Sequence, residues 1–387
     1  ILITLVVKLK LFFIVKFNLI KKTPMKKFTL FMLLAISIGG LQAQTSPDYI
    51  FGSDNGAGWN WTTGTQGTTS LGSSYKWQFA ATATADHFFK FGETASSGDG
   101  SGFWVNASSE DMNYTGGGAK WTAYYRANMG DGGAIKTAIT SGNYYVVKAR
   151  KQAGNDIDFA VFDNGASAPV SISNVSRTFS SPNLLVDVTL SGAKSNNEKV
   201  WVRFTKDNWT TSSTVEASTN TSGNIWEASI AIGDGDLIKY YAFTTIQQAS
   251  APAEADVDFF TVNYNNNSGV NYTYKNGNLS GTFYIGNNGT APGGTNPDFN
   301  YLRQACDAIN TSTIAGDCTF YITSDLSEPT NVDLGVNTNS YTLTFKPYTS
   351  ITASINFQDG TTSQSIDGHF VIGSPTHSNT NLVSTNN

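Results

Sequence analysis

The sequence predicts an all-β protein that opens with two tandem β-sandwich domains. Three observations predict it. Charged residues are only 14 % of the chain and aromatics are 13 %. Gly, Ser, Thr and Asn are abundant, while Leu, Glu and Lys are sparse beyond the N-terminus; that balance favours short strands joined by turns. Apolar residues alternate with polar ones in Tyr75-Lys-Trp77-Gln-Phe79 and Phe89-Lys-Phe91, the period of a strand with one buried face. At ~100–200 residues per domain, 387 residues allow two to four domains.

The first 43 residues read as processing signals. Lys26 and Lys27 precede the apolar run Phe28–Ile38, and Leu41-Gln42-Ala43 ends in a small residue. These are the three parts of a secretory signal peptide over residues 25–43, with cleavage expected after Ala43. Its apolar core is short of the ~20 residues a membrane span needs. Residues 1–24 lack an initial Met and carry Lys8, Lys10 and Lys16 within an apolar run. They are expected to be translated sequence upstream of Met25. The other reading, a membrane anchor, would place those lysines in lipid at high cost. No membrane span is expected in the mature chain.

Charge bears on partners. The net charge is −5, but residues 1–43 hold seven of the 24 basic side chains and none of the 29 acidic ones, leaving the remainder near −12. An acidic surface argues against nucleic acid or anionic lipid and suits an extracellular or outer-surface location.

The first sandwich is expected over residues 44–168. Strand-like runs at Tyr75–Ala80, His87–Phe91, Trp121–Arg126, Tyr144–Ala149 and Ile157–Phe162 are separated by Gly98-Asp-Gly100, Gly116-Gly-Gly118 and Gly130-Asp-Gly-Gly133. The second is expected over 169–275, after Ala168-Pro169. Its strands are Leu184–Leu190, Val200–Phe204, Ile225–Ile230, Ile238–Phe243 and Phe259–Tyr264. Five or more strands in about 105 residues fit an immunoglobulin-like sandwich. Here Val200-Trp-Val-Arg-Phe-Thr-Lys-Asp-Asn-Trp209, Trp226-Glu-Ala-Ser-Ile230 and Lys239-Tyr-Tyr-Ala-Phe243 resemble the Ig-like modules attached to amylases and other bacterial carbohydrate-active proteins. The likeness covers about 60 residues; it is more specific for the fold than for sugar binding.

Residues 276–387 differ. Asn296 can cap a helix and Pro297 suits its first position. Phe299, Leu302, Cys306 and Ile309 then fall on one face. Short strands are expected at Cys318–Thr323, Tyr341–Lys346, Ile351–Phe357 and His369–Ile372. The series GTFYIG, PDFNYLRQACDAIN, GDCTFYI and LTFKP resembles the opening of a pectin-lyase-like right-handed parallel β-helix in large secreted surface proteins of gliding-type bacteria. The resemblance implies a capping helix over the first rung and a truncated solenoid, since 318–387 supplies one or two rungs.

Chemistry is sparse. Hydrolase, zinc-protease, P-loop and dinucleotide motifs are all missing from the sequence, and no cofactor or metal is expected. His87 is expected in a core; His369 and His377 lack placed partners. Gly233-Asp-Gly-Asp236 lacks the full spacing of a calcium loop and reads as hairpin-turn chemistry. Asn-x-Ser/Thr triplets at Asn106, Asn113, Asn174 and Asn208 are read as composition, not glycan sites. Cys306 and Cys318 are expected to form a disulfide in an oxidising compartment, contributing ~3 kcal/mol; the alternative is two thiols.

Aromatics are the binding candidates. Trp59 and Trp61, two apart in an extended segment, would project to one side, with Asn60 and Asn55 supplying hydrogen bonds to a sugar whose C–H face stacks on indole. Trp209, in the Asp207-Asn-Trp turn, is either tucked under the turn or ligand-facing. Trp77, Trp201 and Trp226 are expected in the core. The favoured reading is a secreted, non-catalytic binding or adhesive protein contacting polysaccharide or host or biofilm glycans. Two alternatives stand beside it: accessory modules of a β-helix lyase or hydrolase, and a structural module without a ligand. Tryptophan fluorescence separates them. A binding protein shows quencher-accessible indoles that neutral glucans such as starch protect, whereas a structural module shows no protection.

Overall fold

The computed structural model describes residues 46–96, 102–105, 108, 110–127, 129–328, 332–334, 341–349, 351–357, 370–372 and 382–383. The expected upstream sequence, the signal peptide, His369 and His377 lie outside them. The described residues are all-β in class: strands carry the framework and helices are few. From Pro47 on they belong to one compact unit. Among the described residues no helix is long and apolar enough to cross a membrane.

The five strands expected between Tyr75 and Phe162 all form, with ends within two residues of expectation. They do not divide into two separate sheets. One eleven-stranded sheet forms: nine strands run from Thr65–Gln66 through Tyr49–Gly52, Ala85–Gly92, Phe103–Val105, Trp121–Arg126, Ile157–Asp163, Tyr144–Lys151 and Ser74–Ala80 to Thr68–Ser70, and Ile135–Ile139, carrying Met112–Tyr114, branches off Ala85–Gly92. Its two ends are consecutive in the chain, with Gly67 between them, so the sheet curls nearly shut. A Cβ at Gly67 would lie 2.7 Å from the Trp77 ring; glycine permits this close approach. The inside is aromatic: Trp59, Trp77, Phe79, Phe89, Phe91 and Phe159 share one cluster.

The next segment forms two antiparallel sheets around one core. The first orders Ile172–Ser180, Asn183–Leu190, Ile225–Ala231 and Thr219–Ser222. The second orders Ser213–Glu216, Glu198–Thr205 and Leu237–Ile246, whose free edge then pairs with both Asn263–Asn265 and Tyr272–Lys275. Asn183–Leu190 buries every second residue, as a half-buried strand must. Leu184, Val186 and Val188 meet Val200, Val202, Ile238, Tyr240 and Ala242 in the shared core. The strand expected at Phe259–Tyr264 is a correction. Val257–Phe260 is a helical turn, and only Asn263–Asn265 is strand. Phe259 and Phe260 both enter one cluster with Val146, Ala160 and Phe162. A strand would send these neighbours to opposite faces.

The last segment pairs in parallel. Asn278–Ile285, Thr313–Ile322, Leu343–Pro347 and Leu382–Val383 line up in one sheet; Leu326–Glu328 pairs with Ile355–Phe357, and Val332–Leu334 with Phe370–Ile372. Like residues sit in register: Phe283, Phe320 and Phe345, then Tyr284 and Tyr321. Phe283 and Phe320 stack at 5.2 Å, and Phe320 and Phe345 at 4.7 Å. Offset-stacked rings of this kind add about 0.5–1.5 kcal/mol per pair beyond their burial.

The expected helix forms later than predicted, at Leu302–Thr311. Asn296 and Pro297 do not start it. The preceding residues are used as an added edge: the Phe299 N–H donates to Tyr284 O and the Gly286 N–H to Phe299 O. Capping comes from a distant residue instead. Leu302 and Arg303 N–H groups donate to the buried Glu328 carboxylate at 2.6 and 3.2 Å. An acid at a helix N-terminus satisfies orphan donors and meets the positive end of the dipole. The predicted face is retained: Phe299, Leu302, Cys306 and Ile309 are all buried in one cluster. The expected disulfide is a second correction. No bond joins Cys306 and Cys318; both are thiols in that cluster, serving as small apolar side chains. Burial pushes the Cys318 thiol up to about 11.

His87 lies fully buried inside the curled sheet, with ring centroids of Trp59 and Phe79 at 5.0 and 5.2 Å. Its Nδ1 lies 3.3 Å from Ser53 Oγ, and its Nε2 has no hydrogen-bond partner. Burial pushes its pKa down to about 4, with Asp54 opposing the shift. The folded state therefore binds this proton less readily than the unfolded chain, and stability falls as pH drops from about 6.5 towards 4. The predicted loss is about 3 kcal/mol, complete below pH 4. Urea unfolding across that range measures it, and a His87→Phe variant should lose this component of the pH dependence.

Candidate binding site

The sequence-predicted aromatics separate in space. Trp59 is 2 % exposed and packs edge-on against Phe79 at 5.0 Å. Trp61 is 36 % exposed. The two indoles therefore do not form a shared platform: Trp59 is in the core, and Trp61 lies within a turn that opens at Asn60. Asn60 Oδ1 accepts from the Thr62 N–H and hydroxyl, both at 2.9 Å, and from the Thr63 N–H at 2.6 Å. That oxygen is an Asx-turn cap, which leaves it little capacity for a sugar. Trp61 lines a shallow recess with Ser53, Lys90 and Asp111, but the Lys90 ammonium is spent on Met129 O and Gly132 O at 2.7 Å each. Trp77 and Trp201 are core residues, as expected; Trp226 is only partly buried, with Lys194 4.5 Å above its ring.

Trp209 is placed differently. Asp207 builds its turn: Oδ1 accepts from the Thr205 hydroxyl at 2.8 Å and the Thr211 N–H at 2.9 Å, and Oδ2 accepts from the Thr211 hydroxyl at 2.7 Å. These bonds, from Thr211 first, hold the Asp207 carboxyl below its ordinary pKa. Asn208 and Trp209 are both left-handed, at φ 53° and 66°. Asn tolerates that region, whereas a bulky residue is held there only by its surroundings. Strain of this kind gathers at functional positions. The Trp209 indole packs on Tyr241 at 5.7 Å, beside the Arg203 guanidinium at 5.7 Å. It also lines a cleft of about 800 Å³.

The opposite walls of that cleft come from distant parts of the chain. The loop 266–271 supplies Asn271, with Asn267, Ser268 and Asn271 all left-handed. The residues before the helix Leu302–Thr311 supply Asn300 and Tyr301, and the loops after the first two parallel strands supply Asn287, Asn288 and Asp325. The Asn300 amide donates to Asn288 Oδ1 at 2.8 Å and Gly286 O at 3.3 Å. Asp325 Oδ1 accepts from the Ser354 N–H and hydroxyl, which lowers its pKa and keeps it ionised. Among the described residues that line the cleft there is no lysine or arginine.

One indole here faces walls of short amides, a tyrosine and one carboxylate. The cleft offers apolar faces and fixed donors and acceptors without a positive charge. It fits an uncharged polyhydroxylated ligand and disfavours a polyanion. A metal does not suggest itself: among the described residues, no group of three or more His, Cys, Asp and Glu is placed to hold one. Asp236 Oδ2 is committed to the Gly233 N–H and Lys206 Nζ at 2.8 and 2.7 Å, so Gly233–Asp236 is a turn, as expected. Tyr301 and the asparagines of this wall carried no sequence signal beyond an Asn-rich composition.

No family model matches the sequence, and no curated protein matches it. If Asp207 sets the turn, Asp207→Ala should speed hydrogen exchange of the Thr211 amide and increase quencher access to Trp209. The exchange of strand Glu198–Thr205 should stay unchanged. Unaltered Thr211 exchange would show that Asp207 does not hold the turn.

Proposed function

We propose that this chain is a secreted, non-catalytic binding protein of the bacterial surface that holds a neutral glycan in the Trp209 cleft. One observation carries the reading: a half-buried indole in a strained, tightly held turn lines a cleft whose other walls are Tyr301 and a group of asparagines. Aromatic faces supply stacking to sugar C–H groups, and amides fixed by their own hydrogen bonds supply orientation. A volume near 800 Å³ lies within the ~300–1,000 Å³ typical of small-ligand sites.

The curled eleven-stranded sheet and the paired antiparallel sheets would be two sandwich-type modules, the second Ig-like. The parallel segment would be the start of a β-helix capped by the helix Leu302–Thr311. Three successive strands each pairing in parallel with the three that follow support that reading. The leader-like residues 25–43 and the acidic remainder of the chain support export.

Affinity electrophoresis or calorimetry with soluble neutral glucans tests the binding proposal. Trp209→Ala should weaken binding about two- to tenfold, since a stacking contact is worth about 0.5–1.5 kcal/mol and tenfold corresponds to about 1.4 kcal/mol. Asn300→Ala should weaken it too, and Trp61→Ala should leave it unchanged. Equal affinity of the Trp209→Ala variant and the parent would remove the cleft from consideration.

A further inference from the structure

Lys239 lies on the strand Leu237–Ile246 and is 1 % exposed. Its Nζ donates to Asn208 Oδ1 at 2.5 Å. The Phe299 ring centroid is 5.7 Å from the amine, and the Asp298 carboxyl faces the same site. The Asn208 amide is fixed from its other end, because Nδ2 donates to Pro297 O at 2.8 Å. The group that would leave from this amide is therefore anchored on the residue next to Asp298.

We propose that Lys239 and Asn208 form an intramolecular isopeptide bond, with Asp298 carrying the proton. With the amine 2.5 Å from the amide oxygen and a carbonyl bond of ~1.2 Å, the carbonyl carbon is no more than about 3.7 Å away. That is close to the ~3–3.5 Å of a near-attack arrangement. Burial pushes Lys239 down to about 7, with Asp298 opposing, and burial also pushes the Asp298 carboxyl upward. Both shifts favour the neutral amine and the protonated acid that the reaction needs.

The step balances without a co-reactant. The Lys239 Nζ lone pair attacks Asn208 Cγ, forming the N–C bond. The Cγ–Nδ2 bond breaks. Asp298 gives its proton to Nδ2 and takes one from Nζ, so ammonia leaves and the carboxyl is restored. The product is one secondary amide.

A second amine–amide contact serves as an internal comparison. Lys76 Nζ donates to Asn263 Oδ1 at 2.9 Å, but its lowered pKa arises from burial alone, with no carboxyl contributing. It should remain an ordinary hydrogen bond. The proposed bond would fasten the turn carrying Trp209 to the strand behind it whether or not the cleft binds a glycan.

Mass spectrometry of the full chain tests this without any variant. The intact mass should fall one ammonia below that specified by the residues present, and digestion should give a branched peptide joining Lys239 to Asn208, with trypsin failing to cut after Lys239. Asp298→Asn, which keeps an acceptor for the Tyr284 N–H, should fold and recover the missing ammonia. Linear peptides containing unmodified Lys239 and Asn208 from the folded parent protein would overturn the proposal. An intact cross-link in Asp298→Asn would overturn the role of Asp298, as would a second branch between Lys76 and Asn263.

Discussion

The strand Leu237–Ile246 is covered on both faces, and much of the rest of the structure follows from that constraint. Ile238 to Ile246 are all buried. On one side Ile238, Tyr240 and Ala242 complete the core between the two antiparallel sheets. On the other side Tyr241 and Phe243 pack with Trp201 and Val257, while Lys239 meets Phe299 from the parallel segment. A strand buried on one face can leave its polar residues in water. This one cannot, so every polar group facing outward needs a protein partner. Trp201 Nε1 donates to Thr245 Oγ1 at 2.9 Å, and Arg203 reaches the Tyr241 hydroxyl at 3.3 Å.

The same requirement explains the buried cations at the junctions. Lys148 is fully buried between the curled sheet and the segment after Phe260; it donates to Ser70 Oγ at 2.9 Å and Thr261 O at 2.7 Å. Burial lowers its pKa well below the ordinary lysine value. Arg150, partly buried, bridges Asp158 and Asp256 at 2.8 Å each. Replacing one partner of such a contact would strand a buried polar group, which costs more than the contact contributes. These contacts therefore specify how the sheets meet more than they add to stability. The cleft beside Trp209 is a product of that meeting, since its walls come from the turn after Thr205, the loop 266–271 and the start of the parallel segment.

Much of this was legible in the sequence where one physical rule acted alone. Alternation located Ser74–Ala80 and Ala85–Gly92, because a half-buried strand must alternate. The burial of His87 and Trp77 followed from their aromatic surroundings. Reading failed where a distant residue decided a local question. Asn296 and Pro297 looked like a helix start, yet Phe299 was claimed by a strand edge and Glu328 supplied the cap from 26 residues downstream. Trp61 is taken up by a turn that a single Asn60 oxygen closes, while Trp59 stays in the core. Phe259 and Phe260 were drawn together into a junction that no local pattern announces. A repeat carries a further signal: Thr-Phe-Tyr-Ile occurs at both 282–285 and 319–322, and these two segments lie in strands that pair in parallel register. The asparagines of the cleft gave no comparable sign, because their role depends on which loops the parallel segment brings together.

The central claim is that the doubly covered strand welds its neighbours into one cooperative structure. Native-state hydrogen exchange, followed peptide by peptide in increasing denaturant, tests it most directly. The account predicts that Tyr144–Lys151, Ile238–Ile246 and Cys318–Ile322 lose protection together, at one common free energy of opening. Separate openings, with Ile238–Ile246 exposed while either neighbour stays protected, would contradict it.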